Sequence, residues 1–174
     1  MSIINFSILI YYCYSMIFSQ LQKMVRFDTP ESQWFSKVLW VGVGCGRLTP
    51  RILIEMAIQQ VLQQYNLGEN AIIGIATLDI KGNEPGLVEL CQAKNWPLRT
   101  FSSEVLRAVE VPNPSAGVGI VVGTMSVAEA AALEAAGVKT LLVSKQIYRV
   151  STPESRQAVT VAIAQVQRKT PEEF

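Results

Sequence analysis

The chain has no histidine among its 174 residues. That absence removes the Ser-His and Cys-His catalytic pairs, the imidazole metal ligand and the imidazole proton switch near neutral pH. Charge is also sparse: 17% of residues are charged and the net charge is +1. A general nucleic-acid binder draws its affinity from clustered Lys and Arg, so that class is excluded. The three cysteines, Cys13, Cys45 and Cys91, are far apart, odd in number and without a CxxC pair. Neither a disulfide framework nor a protein metal site is indicated, and a reducing cytoplasm is the expected compartment. No Walker A sequence occurs, and the dinucleotide fingerprint fails because Arg47 stands where its third glycine would be. Chemistry is left to carboxylates, Lys, Arg, hydroxyls, thiols and backbone groups.

What is present divides unevenly. Residues 1–22 carry no charge, and 15 of them are hydrophobic or aromatic. The densest part, Ile3 to Phe18, is interrupted by Asn5, Ser7 and Ser15 and falls short of the roughly 20 apolar residues of a spanning helix. The first positive charge is Lys23, so the basic start of a signal peptide is missing. Residues 1–33 are expected to be an extension and linker outside the fold, with Met16 and Met24 offering later starts; a membrane-associated anchor and a packed helix are the alternatives. The remainder is expected to form one domain over 34–168, large enough for its own core, followed by a tail at 169–174.

Within that domain strand and helix signals alternate. Val38–Val43 is an apolar run entering a turn that holds Gly42, Gly44 and Gly46, as a buried strand would. Thr49-Pro50 opens a helix to about Tyr65, with Thr49 as N-cap and Pro50 in the first helical position, and Asn66 and Gly68 supply its stop. Ala71–Leu78 reads as a second strand. A short helix follows from Glu84-Pro85-Gly86 to about Asn95, then a strand at Leu98–Phe101 and a helix from Ser102 or Ser103 to Val109. Val111–Gly119 is a loop rich in Pro, Gly and Asn. Ser126 and Glu129 have capping-box spacing ahead of an Ala-rich helix that Gly137 ends. Thr140–Val143 is a strand, Ser144–Gln157 a loop, and Val159–Ala164 a last strand. These units predict a three-layer α/β/α sandwich with a mostly parallel sheet and an antiparallel edge strand.

Ligands of open α/β sheets sit beyond the carboxyl ends of the strands. Four polar groups of residues fall there: Gly44-Cys45-Gly46-Arg47-Leu48-Thr49, then Asp79-Ile80-Lys81 with Glu84, then Ser102-Ser103-Glu104, then Ser144-Lys145-Gln146. The glycine turn reads either as a backbone-lined anion cradle beside Arg47 or as a tight turn whose glycines suit its dihedrals. Asp79, Lys81 and Glu84 read either as a carboxylate base with a cationic neighbour or as a solvated turn at a helix start. Cys45 has the helix-end position of a nucleophile but no base partner.

Taken in order, GVGCGRLT (Gly42–Thr49), LDIKGNEPGL (Leu78–Leu87), FSSEVL (Phe101–Leu106), VPNPS (Val111–Ser115), GTMSVAEAAAL (Gly123–Leu133), VSKQ (Val143–Gln146) and VTVAIA (Val159–Ala164) resemble the cobalamin-biosynthesis CobE family, equivalently the C-terminal domain of CbiG. The resemblance spans about Val38 to Gln165. It implies a role in cobalamin (vitamin B12) biosynthesis, in which full-length CbiG is a cobalt-precorrin-5A hydrolase that opens a lactone and releases acetaldehyde. Members commonly carry a second Arg after the Cys, a small residue before the Thr and a further Lys after the KQ pair; this chain has Gly46, Leu48 and Ile147 instead. The implied ligand is a corrinoid or precorrin intermediate with acidic side arms. Ligand-binding candidates are Gly44, Cys45, Arg47, Thr49, Lys81, Ser102, Ser126, Glu129, Lys145 and Gln146. On the preferred reading the domain binds or presents the intermediate, with other cobalamin-pathway enzymes as partners and neither nucleic acid nor membrane. On the alternative it is a hydrolase component in which Asp79 or Glu84 activates water. Cobalt would arrive only as part of the corrinoid.

Overall fold

The computed structural model describes residues 37–113, 126–151 and 156–167. The expectations for residues 1–33, for the loop beyond Asn113 and for the tail lie outside them. Strand β1 (Leu39–Cys45) sends Leu39, Val41 and Val43 to one face and Trp40 and Gly42 to the other. Both faces are covered, which is why the strand reads as a nearly continuous apolar run. Helix α1 (Arg51–Gln64) buries Leu53, Ile54, Ala57, Ile58, Val61 and Leu62, a stripe at helical spacing. Strand β2 (Ile72–Leu78) leads through a single 3₁₀ turn, Asp79–Lys81, to α2 (Pro85–Lys94), which starts on its proline and stops where Asn95 turns left-handed at φ 53°. Strand β3 (Leu98–Phe101) precedes α3 (Ser103–Ala108), whose N-cap Ser102 accepts from the Val105 amide at 3.3 Å. Helix α4 (Val127–Ala136) ends at Gly137, φ 65°, and strands β4 (Val143–Ser151) and β5 (Arg156–Gln165) complete the fold.

The sheet order is β3-β2-β1-β5-β4. Helices α1 and α2 pack on the face carrying Val41, Val43, Ile75 and Val161, while α4 covers the face carrying Trp40, Ala76, Ala162 and Ala164. This is the expected three-layer sandwich. Its parallel character is less than expected: β1–β2 and β2–β3 are parallel, but β1–β5 and β4–β5 are antiparallel. The expected antiparallel edge pairing is present, β4 on β5, but the strand that runs against all the others is β5, one place in from the edge. Strand β5 lies between β1 and β4 because Val159, Val161 and Ile163 on one face and Ala162 and Ala164 on the other are all fully buried, which only an interior strand allows.

The edge is taken by β4, which begins at Val143 rather than Thr140 and runs through the stretch expected to be a loop. Its alternation of exposed Ile147 and Arg149 with half-buried Tyr148 and Val150 is the pattern of a strand covered on one side. A register shift between Val143 and Gln146 marks a bulge at Ser144 and Lys145. Bulges re-aim side chains at the ends of sheets.

Two local expectations fail at helix starts. Pro50, not Thr49, is the N-cap of α1, because Leu48 adopts a left-handed conformation (φ 54°) and turns Thr49 back to donate its hydroxyl to the Gly46 carbonyl at 3.1 Å. The capping box of α4 does not form: among the described residues neither Ser126 nor any other side chain caps that helix. Gly42 is required for a different reason. A Cβ there would collide with the Ala128 carbonyl, so the glycine and the alanines let β1 and α4 approach backbone to backbone.

Candidate ligand-binding site

A cavity of about 270 Å³ opens at the carboxyl ends of β1 and β2. The chain leaves β1 for β2 and β3 on one side, then crosses to β4 on the other, so the cavity lies at the point where the strand order reverses. Gly44 and Cys45 come from β1, Thr77 and Leu78 from β2, and Ile80 and Lys81 from the 3₁₀ turn. Ser126 and Val127 come from the start of α4, Lys145 from the β4 bulge, and Ala158 and Thr160 from β5. Pairing of Gly44 with Thr160 brings the amino end of β5 to this place.

Two buried carboxylates brace it. Glu84, nearly buried at the N-cap of α2, accepts from the Leu48 amide and from Lys81 Nζ at 3.1 Å. Glu129 is fully buried and accepts from the Lys145 amide at 2.9 Å, Asn113 Nδ2 at 2.9 Å and the Asn113 amide at 3.2 Å. Lys145 Nζ in turn donates to the Asn113 carbonyl at 2.8 Å. Both carboxylates thus have oxygens directed at structural donors, and both lysines line the cavity wall.

Burial pushes the Cys45 thiol above its ordinary value, helped by the charge of Glu84 and opposed by Lys81 and by a hydrogen bond with Thr49. A thiol held neutral is a poor nucleophile, and no base is placed to activate it among the described residues. Ser126 is 2% exposed, lines the cavity, and its Oγ has no hydrogen-bond partner among the described residues.

Of the residues nominated from sequence, Gly44, Cys45, Lys81, Ser126 and Lys145 meet at this cavity, and Glu84 and Glu129 stand behind its lysines. Arg47 is exposed on the turn and Thr49 is buried beneath it. Asp79 is exposed, its Oδ1 accepting from the Ile80 amide at 2.7 Å. Ser102 is occupied as the cap of α3. Gln146 lies by α1 instead, donating to the Tyr65 hydroxyl at 3.1 Å and to the Ser144 carbonyl at 3.1 Å. Thr77 and Thr160 were not nominated. Their hydroxyls donate to the Val43 and Gly44 carbonyls at 2.7 and 3.1 Å and so seal the end of β1. A threonine inside each of two otherwise apolar strands was the available signal. Among the described residues no group of His, Cys, Asp or Glu could hold a metal ion, and no helix is long and apolar enough to cross a membrane.

Comparison with known proteins points one way. Residues 39–164 match the family described as cobalamin synthesis G C-terminus. The chain is 30% identical over 110 residues to a cobalt-precorrin-5A hydrolase of Priestia megaterium, a match covering 63% of this chain and 29% of that protein. It is 29% identical over 111 residues to protein CobE of a Sinorhizobium species, covering 63% and 72% respectively. The crystal structure of a CobE from the cobalamin pathway superposes with a TM-score of 0.61 at 28% identity, over 72% of this chain and 93% of that one. The chain therefore spans less than a third of the hydrolase but most of CobE.

Proposed function

This chain belongs to the cobalamin synthesis G C-terminus family of cobalamin-biosynthesis proteins, and from that premise we propose that it binds a corrinoid or precorrin intermediate and presents it to other enzymes of the pathway in the cytoplasm. The observation that carries the reading is the convergence of Lys81 and Lys145 on one cavity at the strand ends. Ammonium groups there suit a macrocycle bearing several carboxylates. Its flat face needs apolar surface as well. Ile80, 70% exposed, lines the cavity, and Leu48, 77% exposed, rides on the turn whose amide Glu84 holds. Cobalt belongs to the ligand on this reading and needs no protein donor.

The hydrolase reading keeps the name of the Priestia relative in its favour. Against it, Glu84 is committed to Lys81 and the Leu48 amide, and Asp79 faces solvent with one oxygen held by its own turn. Neither is placed as a free base beside the cavity. Absorbance titration of the whole chain with a corrinoid free acid tests binding, and Lys81→Gln and Lys145→Gln should each weaken it by about tenfold, the roughly 1.4 kcal/mol of one charge-assisted contact. Release of acetaldehyde from cobalt-precorrin-5A by the isolated chain would overturn the binder in favour of the hydrolase.

A further inference from the structure

The cavity is small. At about 270 Å³ it lies below the roughly 300–1,000 Å³ of sites that enclose a drug-sized ligand. A tetrapyrrole ring cannot enter it, but one side arm can. The walls fit such an arm: Leu78, Ile80, Val127 and Ala158 offer apolar surface for a methylene stem, while Lys81, Lys145 and Ser126 supply polar groups.

Ser126 is the telling residue. It stands at the N-cap of a ten-residue helix, yet its hydroxyl caps nothing and is buried without a partner among the described residues. Among the described residues no side chain caps the first turn of α4. Amides at a helix start favour an anion, and Val127 lines the same cavity. The two carboxylates nearby, Glu84 and Glu129, are turned to Lys81, Leu48, Asn113 and the Lys145 amide, so they do not compete for these donors.

Resting on the corrinoid-binding reading, we infer that this cavity is the subsite for a single carboxylate-tipped side arm of the ligand, with the Ser126 hydroxyl and the start of α4 receiving the carboxylate. The ring stays outside, against the exposed apolar surface of Ile80.

The test is isothermal titration of the full chain with three probes: cobyrinic acid, its methyl ester and free propionate. Cobyrinic acid should bind, the ester at least tenfold more weakly, and propionate hundreds of times more weakly because it lacks the ring contacts. Ser126→Ala should weaken cobyrinic acid about fivefold, leave the ester unchanged, and melt at or above the wild-type temperature, which separates lost recognition from lost folding. Equal binding of acid and ester, or wild-type affinity of Ser126→Ala for the acid, overturns the side-arm subsite while corrinoid binding stands. Propionate binding as tightly as cobyrinic acid overturns it in favour of a site for small free acids. No binding of cobyrinic acid by the wild-type chain removes both the subsite and the function it rests on.

Discussion

Replacing Glu129 by alanine should be among the most damaging single changes available to this domain. The carboxylate is 0% exposed and collects three donors: the Lys145 amide, the Asn113 amide and Asn113 Nδ2. Alanine strands the two backbone amides, each at a cost of about 1–3 kcal/mol when left unsatisfied. Relief from burying the charge offsets part of that sum, which leaves about 3–4 kcal/mol, in line with other buried charged groups whose partners are left behind. Domains of this size have about 5–15 kcal/mol to lose. Glu129→Gln keeps one acceptor oxygen but points an NH₂ at the remaining donor, so it should cost about half as much. Urea titrations of the three proteins read the difference as a shift in midpoint at constant slope. An alanine variant within about 1 kcal/mol of wild type would refute the premise that this carboxylate, rather than the packing of α4, fixes the β4 bulge. The alanine variant carries the functional half of the prediction: with the Lys145 amide stripped of its acceptor, corrinoid affinity should fall even where most of the protein remains folded.

Gly42→Ala should cost at least about 2 kcal/mol in a thermal melt, because the added methyl meets the Ala128 carbonyl and the Ala132 amide, backbone that can yield only by lifting α4. The thiol of Cys45, raised mainly by burial, should react slowly with iodoacetamide at pH 7.5 and accelerate only above the ordinary thiol range, as peptide mapping by mass spectrometry would show; fast labelling at neutral pH would reinstate it as a nucleophile. Hydrogen bonding to Lys94 lowers the Glu55 carboxyl below its ordinary value of 4.5, and bonds to Glu55 and Glu69 raise Lys94 above 10.5. The Glu55 contribution is therefore fully present above about pH 4.5 and lost as pH falls through the lower folded value, whereas that of Lys94 is present below about pH 10.5 and lost above it; Lys94→Met should flatten the acid limb of a stability–pH curve.

The alternation of apolar strands with striped helices was legible because period alone decides it. Ile54, Ile58 and Val61 could only be one face of a helix, and Pro85, Asn95 and Gly137 punctuate helices by backbone constraints that packing does not override. Strand β4 was not legible, since Gln146, Arg149 and Ser151 make a one-sided edge strand look like a polar loop. Its pairing with β5 is a long-range choice that local pattern does not encode. The same limit governed the site. Residues at the ends of β1 and β2 could be gathered by the rule of strand ends, but Ala158 and Thr160 reach the cavity only because β5 runs backwards beside β1. Gln146 was misplaced for the complementary reason: past the bulge it points to the α1 face, away from Lys145.

The failed capping box joins these threads. Ser126 and Glu129 have the spacing to satisfy each other's backbone amides, an arrangement worth about 1 kcal/mol. The fold takes neither bond. Glu129 is spent across a 16-residue separation on both sides, on Asn113 and on the bulged Lys145, and Ser126 is left facing the cavity with its hydroxyl unpartnered among the described residues. A local rule broken without a local substitute is expected at functional or strained sites, and the side-arm proposal gives this one a function. Glu129 fixes one of the cavity's cations by holding its backbone, and on the side-arm proposal the cap that Glu129 and Ser126 do not make is supplied by the ligand's carboxylate. On that account the helix start and the lysine are set by one residue that never touches the ligand.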